Sequence, residues 1–200
     1  MAKRRDHILE SAEQEFLSKG YDGTSIDAIV KEAGGSKSTV YSHFRDKSGL
    51  FAAALEDIRS GFDFSLQASR KEPSATTADR LTLMGVELLS ILFHERLVHL
   101  VRTVIAESKR FPEVARQFVR DGIDLSRRSI AQEIEAARER AEVTVDDAAI
   151  AAEKFVSLLL GTVHLELLLG TRGVPDAREI SQIAREATKS FLKIASGRHL

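Results

Sequence analysis

The stretch TSIDAIVKEAGGSKSTVYSHFRDK, residues 24–47, decides the reading of this 200-residue chain. Thr24 and Asp27 stand as a T-x-x-D capping box, in which a hydroxyl and a carboxylate each satisfy a backbone N–H at a helix start. Ile26, Ile29, Val30 and Ala33 then repeat at helical spacing. Gly34 and Gly35 end that helix, because glycine takes positive φ without a Cβ clash. Ser36 is placed to cap a second short helix, where Val40 and Phe44 share one face four residues apart. Asp46 caps a third helix and puts Lys47 in its first turn. A lysine there opposes the helix dipole but suits a phosphate.

The opposite face of the second helix carries Lys37, Ser38, Thr39, Tyr41, Ser42 and His43. Small hydroxyl, amide and cationic groups on one face, with an apolar stripe on the other, suit a helix that enters the major groove of DNA. Apolar spacing alone also fits any small three-helix unit. Lys37, Thr39, Tyr41 and His43 are candidates for base or phosphate contact, or His43 caps the helix end.

Extended outward, the segment reads RRDHILESAEQEFLSKGYDGTSIDAIVKEAGGSKSTVYSHFRDKSGLFAAAL, residues 4–55. Its F-x-x-x-G-Y, T-S-I-D-x-I, A-G-x-S-K-x-T-x-Y-x-H-F and K-x-x-L-F resemble the TetR/AcrR family of transcriptional regulators. Gly35 departs from the family, which usually has an apolar residue such as valine there, and Ser38 stands where glycine is common. The resemblance implies an all-α fold of about nine helices. A helix-turn-helix DNA-binding module over residues 1–47 would precede an effector-binding and dimerisation domain over residues 48–200. It implies a cytoplasmic, sequence-specific regulator, a repressor released by a small lipophilic effector. Such a protein binds double-stranded, pseudo-palindromic operator DNA as a homodimer, with its two recognition helices roughly 34–36 Å apart. The DNA-contacting positions are then Arg4, Arg5, Thr24, Ser25, Ser36 and Lys37, followed by Ser38, Thr39, Tyr41, Ser42, His43 and Lys47.

Net charge is −1, and residues 1–47 carry eight basic and eight acidic side chains. A neutral module predicts weak non-specific attraction to DNA and reliance on placed contacts. Lys3, Arg4 and Arg5 cluster at the start, while Lys37, Arg45 and Lys47 surround the short helix. Cysteine is absent, which leaves no disulfide or thiolate site and suits a reducing compartment. MAKRRDHILES lacks the apolar run of a signal peptide. FVSLLLGTVHLELLLG, residues 155–170, is too short to span a bilayer and reads as a buried helix, so no membrane partner is expected.

No alternating strand pattern occurs. The expected helices are roughly 4–19, 26–33, 37–43, 47–70, 76–93, 95–109, 113–140, 146–169 and 176–195. Pro73, Pro112 and Pro175 fall at their boundaries. Thr144 and Asp147 read as a second capping box. HERLVH, residues 94–99, misses the zinc motif H-E-x-x-H, because histidines five apart diverge by roughly 140° on a helix. No metal, cofactor or catalytic residue is expected, which sets aside an all-α enzyme. The other rival is an interaction module without an effector.

An effector pocket with apolar walls and few polar groups is expected mainly from the resemblance. Its candidate lining is Phe93, Leu97, Leu100, Val101 and Arg102, with Phe111, Phe118 and Phe155. His94, His99, Glu107 and His164 are further polar candidates; the alternative is a solid core. The last two helices are apolar on more surface than one chain easily covers. A four-helix contact between two copies would use Leu158, Leu165, Ile180, Ala184, Ala187 and Phe191. Otherwise that stripe packs within its own subunit.

Overall fold

The computed structural model describes residues 2–66 and 76–195, with the side chains of residues 2 and 3 excepted. Every regular element among them is helical: α1 Ala2–Gly23, α2 Ile26–Ala33, α3 Lys37–Phe44, α4 Lys47–Ser60, α5 Thr77–Leu92 and α6 Glu95–Glu107. These are followed by α7 Pro112–Phe118, a π turn Val119–Ile123, α8 Asp124–Glu139, α9 Ala148–Leu160, α10 Val163–Leu169 and α11 Ala177–Ala195. The expected all-α class is what forms.

Two compact units result, one of residues up to Phe62 with His99–Phe118, the other of Asp63–Val98 with the chain from Val119 onward. Compactness therefore divides the chain differently from the boundary expected after residue 47. In the first unit α4 packs on α1, α3 and α7. Its core takes Ile8, Leu9, Ala12 and Phe16 from α1, Ile26 and Ile29 from α2, and Val40 and Phe44 from α3. Leu50, Phe51, Ala54, Leu55 and Ile58 of α4 close it. Phe51 meets Phe16 and Tyr21 edge-on at 5.0 and 5.2 Å, and Phe111 lies 4.8 Å from both Tyr21 and Phe51. Edge-to-face pairs of this kind add about 0.5–1.5 kcal/mol each beyond area burial.

The second unit is built on α5, α8, α9 and α11. Here α5 opens on a reciprocal capping box, Thr76 with Asp79, that the sequence reading passed over. Leu81, Met84, Leu88 and Leu89 of α5 share a core with Ile130 and Ile134 of α8 and Phe155 and Leu159 of α9. Arg80 binds Glu133 at 2.6 Å, and Arg140 reaches the same carboxylate at 3.3 Å, which leaves that half-buried acid doubly paired.

Several expectations are corrected. The fourth helix stops at Ser60, not 70, because Gly61 caps it and its N–H donates to the Ile58 carbonyl; residues 67–70 and Pro73 lie outside the described residues. The helix expected over 113–140 is α7, the π turn and α8. The one expected over 146–169 breaks at Gly161, φ 47°, and α9 and α10 bend by 58° there. Thr144 caps nothing: Asp147 accepts from the Ala149 and Ile150 N–H groups, while the Thr144 N–H donates to the Ala195 carbonyl at 2.6 Å.

The dimer stripe is corrected in part. Ile180, Ala184, Ala187 and Phe191 are buried in the core of their own unit, where α11 packs on α5 and α9 and Phe191 meets Phe155 edge-on at 5.4 Å. A side chain already desolvated within one chain has no apolar area left for a second copy. Leu158 and Leu165 do face outward, 38% and 57% exposed.

Candidate nucleic-acid interface

The helix-turn-helix is assembled by local hydrogen bonds. Ser25, not Thr24, caps α2, its Oγ accepting from the Ala28 N–H at 3.1 Å. Thr24 is 3% exposed and donates its hydroxyl to the Gly20 carbonyl at 2.8 Å, closing the break that Gly20 makes in α1 at φ 69°. The capping box read from Thr24 and Asp27 is thereby replaced. Asp27 instead holds Lys37 Nζ at 2.9 Å across the two helices, which raises the lysine pKa by hydrogen bond and charge.

Between the helices, Gly34 and Gly35 take φ 71° and 105°, a turn that side-chain-bearing residues resist. Ser36 caps α3 by accepting from the Thr39 N–H at 3.2 Å. Its hydroxyl also meets those of Ser38 and Thr39 at 2.8 and 3.0 Å, and Ser42 donates to the Thr39 carbonyl at 2.8 Å. Hydroxyls held in such a chain keep their rotamers before any ligand arrives. Val40 and Phe44 are buried beneath, as their four-residue spacing predicts. Lys37, Ser38, Tyr41, Ser42 and His43 stand exposed above them, with Tyr41 at 43%.

The end of α3 is fixed tightly. Arg45 turns left-handed at φ 67° and donates its N–H to the Tyr41 carbonyl at 2.9 Å. Asp46 caps α4 through the Gly49 N–H at 2.7 Å. A Cβ at Gly49 would sit 2.2 Å from the Phe44 carbonyl oxygen, so only glycine permits this crossing of α4 over α3. The sequence reading missed that role, although the glycine of KSGLF marked the position. Lys47 Nζ lies 4.5 Å from the centre of the Tyr21 ring, and Arg110 packs at 4.1 Å from the same ring while binding Asp22 at 2.6 Å. Arg5 stands 5.4 Å over Phe44, and the Arg4 guanidinium lies against Gly34 and Gly35. Of the twelve positions expected at the interface, eleven thus have at least partly exposed side chains and Thr24 does not.

The eight residues expected around an effector fall in both units. Leu100, Val101, Arg102, Phe111 and Phe118 belong to the first; Phe93, Leu97 and Phe155 belong to the second. Leu100 and Phe118 border a cavity of about 20 Å³ with Leu55, Val104 and Val114, which has room for one water at most. Glu56 rims it, paired with Arg59 and accepting from Gln117 at 3.2 Å. Phe93 and Phe155 are buried in the core of the second unit. His94 accepts the Arg96 N–H on Nδ1 at the start of α6, and the His164 ring stacks on Phe93 at 6.3 Å. Burial holds the His164 pKa below its ordinary value. Among the described residues no three histidine or carboxylate side chains converge as a metal site.

Residues 8–54 match the family model of bacterial regulatory proteins of the tetR family. Residues 79–194 match the C-terminal domain of AefR-like transcriptional repressors. The HTH-type transcriptional regulator AcrR of Shigella flexneri is 32% identical over 107 residues, which cover 53% of this chain and 44% of AcrR. The matched stretch thus spans less than half the length of that curated relative. A TetR-family transcriptional regulator of known structure from Mesorhizobium loti superposes with a TM-score of 0.83 at 27% identity, covering 96% of each chain. The flavonoid-responsive regulator FrrA superposes with a TM-score of 0.75 at 31% identity over 100% of both chains. With its capped helix-turn-helix and its two matched domains, the chain belongs to the TetR family of bacterial transcriptional regulators.

Proposed function

We propose that the protein is a cytoplasmic transcriptional repressor that binds a pseudo-palindromic operator as a homodimer and is released by a small lipophilic effector. The observation that carries this reading is the polar face of α3. Lys37, Ser38, Tyr41, Ser42 and His43 stand exposed over a buried Val40 and Phe44, on a helix fixed at both ends. Side chains of these types donate to and accept from base edges in the major groove. Arg4, Arg5, Ser25, Ser36, Thr39 and Lys47 serve the flanking phosphates, which fix register without carrying sequence information.

Homodimerisation is supported by the apolar outer surface of α9 and α10, where Leu158 and Leu165 are joined by Leu169. The effector candidates of the first unit are Leu100, Val101, Arg102, Phe111 and Phe118, where the space beside Leu100 and Phe118 holds one water at most, so a ligand there requires that packing to open. Phe93, Leu97 and Phe155 are the candidates of the second unit. FrrA, alike over its whole length, is described as flavonoid-responsive, which supports a flat aromatic effector. No single helix among the described residues is long and apolar enough to cross a membrane.

The test is binding to a duplex carrying the promoter region next to the protein's own gene. Specific binding should exceed binding to a scrambled duplex by about 1,000-fold or more at physiological salt. A flavonoid panel should contain compounds that raise the denaturation midpoint and lower operator occupancy, since a ligand of the native state stabilises it by mass action. Equal affinity for both duplexes would refute the repressor reading. Specific binding that no lipophilic compound alters would refute the effector alone.

A further inference from the structure

Gly35 breaks the family pattern, and the geometry around it gives a reason. At φ 105° the position already favours glycine. A Cβ there would lie 2.1 Å from Arg4 Nη2, 3.0 Å from its Cζ and 3.3 Å from its Nε. The guanidinium of Arg4 therefore occupies the volume that the family's usual valine would fill. At the neighbouring Gly34, φ 71°, the same guanidinium would be 3.7 and 3.8 Å from a Cβ, which is ordinary van der Waals contact. Arg4 on α1 is thus seated on the turn between α2 and α3, one residue before the Ser36 cap of the recognition helix.

We propose that Gly35 is a positioning residue for operator binding: its bare Cα seats the Arg4 guanidinium against the turn, where the outer N–H groups meet a backbone phosphate beside the recognition helix. The proposal rests on the DNA-binding reading above. A guanidinium carries five N–H donors in a planar fork, so one edge can lie on the turn while another takes the phosphate. The module needs such placement because its charges cancel, eight against eight over residues 1–47, and a diffuse basic field is not available to it. Holding the arginine before binding removes an ordering cost equivalent to about two- to ten-fold in affinity.

The experiment measures operator affinity by fluorescence anisotropy across a salt series, with the promoter duplex as probe. Arg4→Ala should lower the slope of log affinity against log salt by about one unit. Gly35→Ala should lower it equally, because the new Cβ displaces the guanidinium, and Arg4→Ala/Gly35→Ala should lower it no further. Gly34→Ala is the control, imposing positive-φ strain of the same kind while meeting Arg4 only at ordinary van der Waals distance, and should keep the wild-type slope. A wild-type slope in Gly35→Ala or in Arg4→Ala overturns the proposal, as does an equal loss in Gly34→Ala. A wild-type protein that binds no promoter duplex refutes the DNA-binding reading itself, whereas a binding wild type with unmoved slopes refutes only this seat. Should the glycine variants not fold, the backbone amide resonance of Gly35 decides: it must shift in Arg4→Ala, and an unmoved resonance overturns the seat.

Discussion

Replacing Leu165 and Leu169 together by serine should separate two copies of the chain while leaving each copy folded. Both side chains lie on α10 with 57% and 67% of their surface open to solvent. Together they expose the equivalent of about 1.2 whole leucines, and burying one leucine fully is worth about 1.5–3 kcal/mol. Two-fold symmetry counts each residue twice, so the pair supplies about 4–7 kcal/mol to a dimer. Loss of that amount raises the dissociation constant by about three to five orders of magnitude. Exposed substitutions of this kind change the stability of a single chain by about 0.5 kcal/mol or less. Sedimentation over a concentration series should show monomer where the wild type is dimer. Operator affinity should collapse with it, because one recognition helix alone reads half a palindrome. Circular dichroism should be unchanged. A double variant that stays dimeric and binds the operator normally would refute the assignment of this surface.

The same logic turns Phe191→Glu into a stability test, since Phe191 is 2% exposed and packed on Phe155. That variant should lose about 3–5 kcal/mol or more and fail to show a cooperative melt, and a folded monomer would contradict the packing of α11. Lys47→Ala should weaken binding to specific and scrambled duplexes alike and lower the salt slope by about one unit; an unchanged slope would leave Lys47 to its contact with Tyr21. His164 has a depressed pKa because of burial, and its Nδ1 has no hydrogen-bond partner. The unfolded chain therefore takes up a proton below about pH 6.5 while the folded chain resists it, so stability falls as pH falls below that point. Denaturation midpoints at pH 7.5 and 5.5 should converge in His164→Phe, and an undiminished gap would place the acid sensitivity elsewhere.

The elements that carry DNA recognition were legible because they are local. Ser36, Gly34 and Asp46 announce caps and turns within four residues of the groups they satisfy, and each does so in the structure. Where two hydroxyls compete, local pattern misleads. Thr24 fits an N-cap as well as Ser25 does, but the break at Gly20 offers it a carbonyl and Ser25 is left to cap. Gly61 and Gly161 were visible as breakers, yet apolar residues continue on both sides, and periodicity overrode them. Partner choice was the least legible. Ile180, Ala184, Ala187 and Phe191 form a clear stripe, but a stripe does not say whether α5 and α9 of the same chain or a second copy will cover it. The seat of Arg4 needed three dimensions, because nothing in sequence links residue 4 to residue 35.

The π turn at Val119–Ile123 bears on which gene lesions this chain tolerates. A wide turn of this type holds one residue more than an α-helical path, which absorbs about 100° of rotation. Phe118 before it and Ser126, Ser129, Ile130 and Ile134 after it are all buried on that footing. In-frame loss of one codon within 119–123 removes that extra residue and lets a regular helix run through with Ile130 and Ile134 kept on their core face, whereas loss of one codon between 124 and 129 rotates both by about 100° out of their core. The same loss at Gly173, in the connection between α10 and α11, only shortens a surface turn. A single missing codon is therefore a null lesion within α8 and close to silent in the π turn or at Gly173.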